Sequence, residues 1–323
     1  GNTGSGTLTL DASTLNFGGG LTVGPNYSSS GSNISSFTTD GDVSFLGTVE
    51  LDGTFSIDSG GGDITIAGNI TGTNGDEIVT LTDGTGGDGT GTITIGGTIG
   101  NTAGSTSNIK SVTLTGDTGI SLGGDITTST AATSSIDING NVTLTSNVTI
   151  DADQHSGDNV DFGGTINSDS TARNLTIKTT GGAVVIQGVV GGSNALSALD
   201  INTAEAAGNT GNITLEAIGT DSAAGAASIT VGNSRTGTLT LGGVEYFSTG
   251  AQTYESDDFD LTGADITFQT SNANVSFQDG GTGEIVLSDA ADLTISTGGG
   301  NIDIEPEIKG TANGANTSVT LNA

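Results

Sequence analysis

An apolar residue, a polar one, a second apolar one, then a short Gly-containing step before a third: this phrase recurs throughout the chain. Asp63-Ile64-Thr65-Ile66-Ala67-Gly68-Asn69-Ile70 is matched by Thr92-Ile93-Thr94-Ile95-Gly96-Gly97-Thr98-Ile99. The same frame carries Ile120, Leu122 and Ile126, then Val160, Phe162 and Ile166, then Val184, Ile186 and Val190. Period-two alternation marks a strand with one buried face. Strands this short bury little alone, so copies must stack on one another to share a core. A longer unit overlies the phrase. Val43-Ser44-Phe45 through Ile70 resembles Val160-Asp161-Phe162 through Val190 and Val275-Ser276-Phe277 through Ile304, each pairing a V-x-F strand with a later Gly-Gly strand. Steps on the order of 20 to 30 residues between equivalent strands fall in the range of solenoid coils.

The pattern predicts an all-β fold, a right-handed parallel β-helix (β-solenoid) running as a single elongated rod over residues 1–323. Roughly a dozen coils at about 4.8 Å each give a body near 60 Å long. The Ala-rich stretches near 195–210 and 221–228 break the alternation and are expected to leave the coil as loops. The residue choices suit this architecture. Inward Ile, Val, Leu and Phe stack on their counterparts, while β-branched Thr suits the outward face. The 57 Gly residues and the frequent Asn supply the positive φ that tight corners require. Tandem immunoglobulin-like sandwiches would bring a core Trp, and this chain has none.

Charge and composition exclude several function classes. Five basic residues against 36 acidic ones give −31, a field that repels nucleic acid and anionic membrane surfaces. No stretch approaches the roughly 18 consecutive apolar residues of a membrane span, and no charged segment followed by an apolar one opens these residues. With no Cys there is no disulfide, thiolate metal site or cysteine nucleophile.

Ser248-Thr249-Gly250-Ala251-Gln252-Thr253-Tyr254, followed by Leu261-Thr262-Gly263-Ala264-Asp265-Ile266-Thr267-Phe268, resembles repeats of filamentous-haemagglutinin-like exoproteins, as does Phe162-Gly163-Gly164-Thr165-Ile166-Asn167-Ser168 running into Arg173-Asn174-Leu175-Thr176-Ile177. The resemblance extends to autotransporter-passenger-like surface proteins. It implies a right-handed parallel β-helix, export to the cell surface and a part in adhesion.

The catalytic inventory is thin. A lyase acting on acidic polysaccharide needs cationic groups in one place, and Lys110, Lys178, Lys309, Arg173 and Arg235 are far apart in sequence. Paired carboxylates for glycoside hydrolysis are available at Asp151 with Asp153, or at Asp257, Asp258 and Asp260. Alternating acids on a strand normally face solvent, so no catalytic residue is assigned. His155 is the only histidine, and transition-metal sites draw on several such ligands. The cofactor these residues suit is calcium, a hard cation that takes several oxygen ligands. Its candidate ligands are Asp257, Asp258, Asp260, Asp151 and Asp153. Thr-x-Thr triplets at Thr7-Leu8-Thr9, Thr92-Ile93-Thr94, Thr113-Leu114-Thr115, Thr143-Leu144-Thr145 and Thr238-Leu239-Thr240 resemble the outward grid of ice-binding solenoids, but their spacing is irregular. Asn-x-Ser/Thr sequons at Asn69, Asn212 and Asn274, among others, are read as turn chemistry.

The expectation is a non-catalytic extracellular structural and adhesive protein, a surface stalk, coat or fibre segment that self-assembles end to end. Its expected partners are other copies of itself and glycans or proteins of a host or neighbouring cell, with no nucleic acid and no membrane span. The alternatives are a polysaccharide-acting β-helix enzyme, lyase or hydrolase, and an ice-binding solenoid.

Overall fold

The computed structural model describes residues 7–10, 15–17, 21–23, 26–29, 35–84, 90–101, 108–130, 134–202, 210–220, 223–288, 291–310 and 317–323, with the side chains of 7–17, 26, 29, 35 and 153–156 left aside. Among the described residues every regular element is a strand. Among the described residues the strand pairings are parallel, and the one antiparallel contact is a bridge between Thr220 and Ala223. Parallel strands of two to nine residues at this spacing stack as a β-solenoid of about 11 turns. The chain divides into two compact units, residues 1–164 and 165–323.

In the first unit, one stack runs through Ser35–Thr39, Phe55–Asp58, Ile78–Thr82, Ser111–Thr115, Ser135–Asn139 and Asn159–Phe162. Its register puts Phe37, Ile57, Leu81, Leu114, Ile138 and Phe162 in one inward column, all buried. A second stack runs through Leu21–Val23, Val43–Phe45, Ile64–Ile66, Thr92–Ile95, Gly119–Leu122 and Val142–Leu144, with Val, Ile, Leu and the one aromatic Phe45 at its buried positions. A third face is built from Asn26–Ser29, Val49–Leu51 and Ile70–Gly72. Where the three faces meet, Tyr27, Phe37, Phe45 and Phe55 pack with ring centroids 5.4 to 5.9 Å apart. Such ring pairs add about 0.5–1.5 kcal/mol each beyond area burial.

The second unit has one stack through Val184–Ile186, Ile213–Leu215, Thr238–Leu241, Asp258–Leu261, Glu284–Leu287 and Glu307–Gly310. A second begins as the long strands Asn174–Thr180, Leu196–Ile201 and Ala226–Gly232, then forks. Ala226 pairs with Ser248 and leads into Glu245–Ser248, Asp265–Thr270, Asp292–Ser296 and Ser318–Asn322. Ile229 to Gly232 instead pair with Gln252–Ser256 and lead into Val275–Asp279 and Ile302–Ile304. Buried Gln252 ties the two branches together. Its amide nitrogen donates to the Tyr246 carbonyl at 2.8 Å and the Gln269 carbonyl at 2.7 Å, while its oxygen accepts from the Tyr254 hydroxyl at 3.1 Å.

The corners repeat one device in both units: a buried Ser or Thr hydroxyl donates to a carbonyl two or three residues ahead. Thr39 reaches Gly41 at 2.7 Å, Thr179 reaches Gly182 at 2.9 Å, Ser248 reaches Gly250 at 2.6 Å, and Thr270 and Thr297 reach Ala273 and Gly300 at 2.6 Å. Each satisfies a carbonyl that the turning backbone withdraws from the ladder. Glycine is required where one turn lies on the next. Gly100 has φ +92°, and a Cβ there would sit 2.0 Å from the Thr127 carbonyl oxygen.

The expected loop excursions need correction. Leu196–Ile201 and Ala226–Gly232 are paired strands, and their Leu196, Leu199, Ile201, Ile229 and Val231 are buried. Alanines flanking these residues dilute the alternation without breaking it. Residues 203–209 and 221–222 lie outside the described residues.

Candidate functional site

Phe259 and Leu261 fill the core, so the alternation of their strand turns Asp258 and Asp260 outward. Asp258 follows Thr238 in the stack and precedes Glu284 and Glu307, while Asp260 shares its column with Thr240, Val286 and Lys309. Lys309 Nζ bonds the Glu284 carboxylate and lies 3.3 Å from that of Glu307. The bond to Glu284 raises the Lys309 pKa. Asp257, exposed, joins Asp258 beside a recess of about 300 Å³ walled by Gly281, Thr282 and Gly283. Asp151 lies elsewhere, buried in the strand Val148–Ser156 in register with Thr127, and the side chains of Asp153 and His155 lie outside the described residues. Among the described residues, no group of three or more His, Cys, Asp or Glu is placed to hold a metal ion.

Most polar corner residues have a different use, which the sequence reading missed. Asp42 accepts the Asp63 N–H at 3.0 Å, and Asp63 in turn accepts the Thr92 N–H at 2.9 Å. Asn69 accepts from Thr98, Asp125 from Thr149, Asn212 from Thr238, Asn274 from Asn301 and Asp292 from Ser318, at 2.7 to 3.0 Å. Each acceptor stands one residue before the first apolar residue of a strand, and each donor belongs to the following turn. That signal was readable as a recurring Asp or Asn before Ile, Val or Leu. Three sequon asparagines, Asn69, Asn212 and Asn274, belong to this ladder. Buried Glu77 closes its own loop by accepting the N–H groups of Thr73, Asn74 and Gly75 at 2.6 to 2.7 Å. Buried Asp83 accepts the Asp117 N–H with both oxygens.

Of the basic residues, Arg173 holds Asp169 through two bonds of 3.0 and 2.7 Å, which lowers the Asp169 pKa. The Thr-x-Thr triplets fall on different stacks. Thr113 and Thr115 lie in register with Thr80 and Thr82, but the turns on either side present Ser56 with Asp58 and Asp137 with Asn139. Thr238 and Thr240 meet Asp258 and Asp260.

The second recess lies on the outward face of the branch that follows Gln252. It measures about 540 Å³ and is lined by Ala251, Thr253, Asn274, Ser276, Gln278, Asn301, Ile302 and Asp303. Its floor continues an outward column that starts three turns before Thr253 in the same unit: Thr176, Asp200, Thr230, Thr253, Ser276 and Asp303 stand in direct register. Partial burial raises the Asp200 pKa, against a hydrogen bond from Thr230 that lowers it. Ser276 Oγ is hidden from solvent and has no hydrogen-bond partner. Among the described residues no helix is long and apolar enough to cross a membrane.

No protein-family model, no curated protein and no solved structure matches this chain.

Proposed function

We propose that this protein is a non-catalytic structural and adhesive element of the cell exterior, a stalk, coat or fibre segment. The observation that carries the reading is the repetition of one parallel turn in both units, with hydroxyls closing corners and corner Asp and Asn residues tying successive turns. Such stacking yields length and a long ordered surface from local contacts. The haemagglutinin-like phrases around 162–177 and 248–268 support placing it with exported surface exoproteins.

Self-association end to end belongs to the same reading. Val319 and Leu321 continue the columns of Leu293 and Ile295. Unpaired strand edges with apolar side chains accept further parallel strands. Electron microscopy of the purified chain tests this. Elongated rods that join into fibres, with joining lost in Leu321→Lys, are the expected outcome. Isolated rods at every concentration would remove the fibre and leave the stalk, and compact particles would overturn the structural reading.

A further inference from the structure

We propose that the outward trough of the second unit binds a β-linked hexosamine glycan carrying free amines, one sugar to each turn of the solenoid. The proposal deepens the adhesive part of the function above and rests on it. Four observations carry it.

The first is shape: a recess of about 540 Å³ opens on the strands Gln252–Ser256, Val275–Asp279 and Ile302–Ile304. It is a groove across parallel strands, so its repeat is the strand spacing of about 4.8 Å. A β-linked pyranose unit is of similar length, on the order of 5 Å, so a glycan lying across the strands keeps step with the turns.

The second is chemistry. The lining groups are hydroxyls, amides and a carboxylate, which match sugar hydroxyls as donors and acceptors. The third is the hydroxyl of Ser276, itself a residue of this lining, which is turned away from solvent and has no hydrogen-bond partner. A hidden hydroxyl without a hydrogen bond carries a desolvation penalty that a ligand group can relieve.

The fourth is charge. Asp303 lines the recess, Asp200 stands four turns away in the same column, about 19 Å at the strand spacing, and Glu255 shares the flanking column with Gln278. No Lys or Arg lines the recess. That balance favours ammonium groups and opposes uronate, sulfate or phosphate. The Thr230 hydroxyl already satisfies one acceptor of Asp200, leaving Asp303 as the principal partner for an amine.

Binding of a β-1,4-glucosamine hexamer to the intact chain, measured by calorimetry, tests the proposal against three controls: the fully N-acetylated hexamer, a galacturonate oligomer and a lysine hexapeptide. The glucosamine hexamer is expected to bind at least tenfold more tightly than each control. Asp303→Asn should weaken it about tenfold, the scale of one charge-assisted hydrogen bond. The control variant Asp58→Asn, outward in the first unit, should leave it unchanged. Equal binding of the lysine peptide, undiminished binding in Asp303→Asn, preference for galacturonate, or no binding at all would each overturn the trough. The two readings fail separately: rods that bind no hexosamine sink only the trough, and compact particles that bind it sink only the structural role.

Discussion

Asp200 shows how an outward carboxylate responds to a partly sheltered place in a stack. Burial raises its pKa above the ordinary 3.8, so the folded chain holds this proton more tightly than the unfolded one. Stability linked to the group is therefore fully present below the unfolded value and is lost as pH rises through the folded value. Asp200→Asn is expected to raise the melting temperature at pH 7 and to match the parent near pH 3; thermal melts at the two pH values check it, and an equal gain at both would assign the effect to something other than ionisation. Residue by residue, the buried set was readable from alternation, as Ile64, Ile66, Ile93 and Ile95 illustrate. The use of Asp63 was not, because a corner acid serving as a hydrogen-bond acceptor for the next turn has the same spelling as a solvated acid or a calcium ligand.

At the scale of elements, the fork after Ala226–Gly232 depends on one polar side chain in an aliphatic column. Gln252 follows Ile229 and precedes Val275 in register; two of its hydrogen bonds, to the Tyr246 and Gln269 carbonyls, cross to the other branch, and the third holds the Tyr254 hydroxyl of its own strand. Gln252→Leu keeps the volume and removes the bonds, leaving buried acceptors and the Tyr254 hydroxyl without that partner. Each unsatisfied buried group costs about 1–3 kcal/mol. A loss of about 2–5 kcal/mol in chemical denaturation is expected, and a neutral result would show that the branches hold by aliphatic stacking alone. The sequence reading placed a strand at Val275–Ser276–Phe277 and met Gln252 only within a phrase resembling exoprotein repeats, so it could not place the fork. A single Gln at a core position carries no periodic signal, and pairing to two different strands is decided in space.

For the whole molecule, the net charge of −31 sets the solution behaviour. Like charges repel within the folded state, and salt screens them over a Debye length of about 8 Å at physiological ionic strength. Raising NaCl from low to about 0.5 M is expected to raise the melting temperature. CaCl₂ at matched ionic strength distinguishes screening from binding: an additional rise that saturates with concentration marks a calcium site, since a ligand of the native state stabilises in proportion to its occupancy. If that rise is abolished by Asp257→Asn with Asp258→Asn, the site is the recess beside Gly281 and Gly283. The sequence by itself determined that this chain is all-β, built from short strands with one buried face and stacked on copies of itself, because alternation and turn residues act over a few neighbouring positions. Tertiary structure alone decided which residues share a column: that Asp258 precedes Glu284 and Glu307, that Thr113 meets Thr80, and that Asp200 and Asp303 stand in one outward column. Those neighbours lie one or more turns apart, and the turns differ in length, with hydrogen-bonded partners 21 residues apart at Asp42 and Asp63 and 29 apart at Asp63 and Thr92. A fixed repeat would have made the columns countable, whereas here register is set by the packing of each turn on the last.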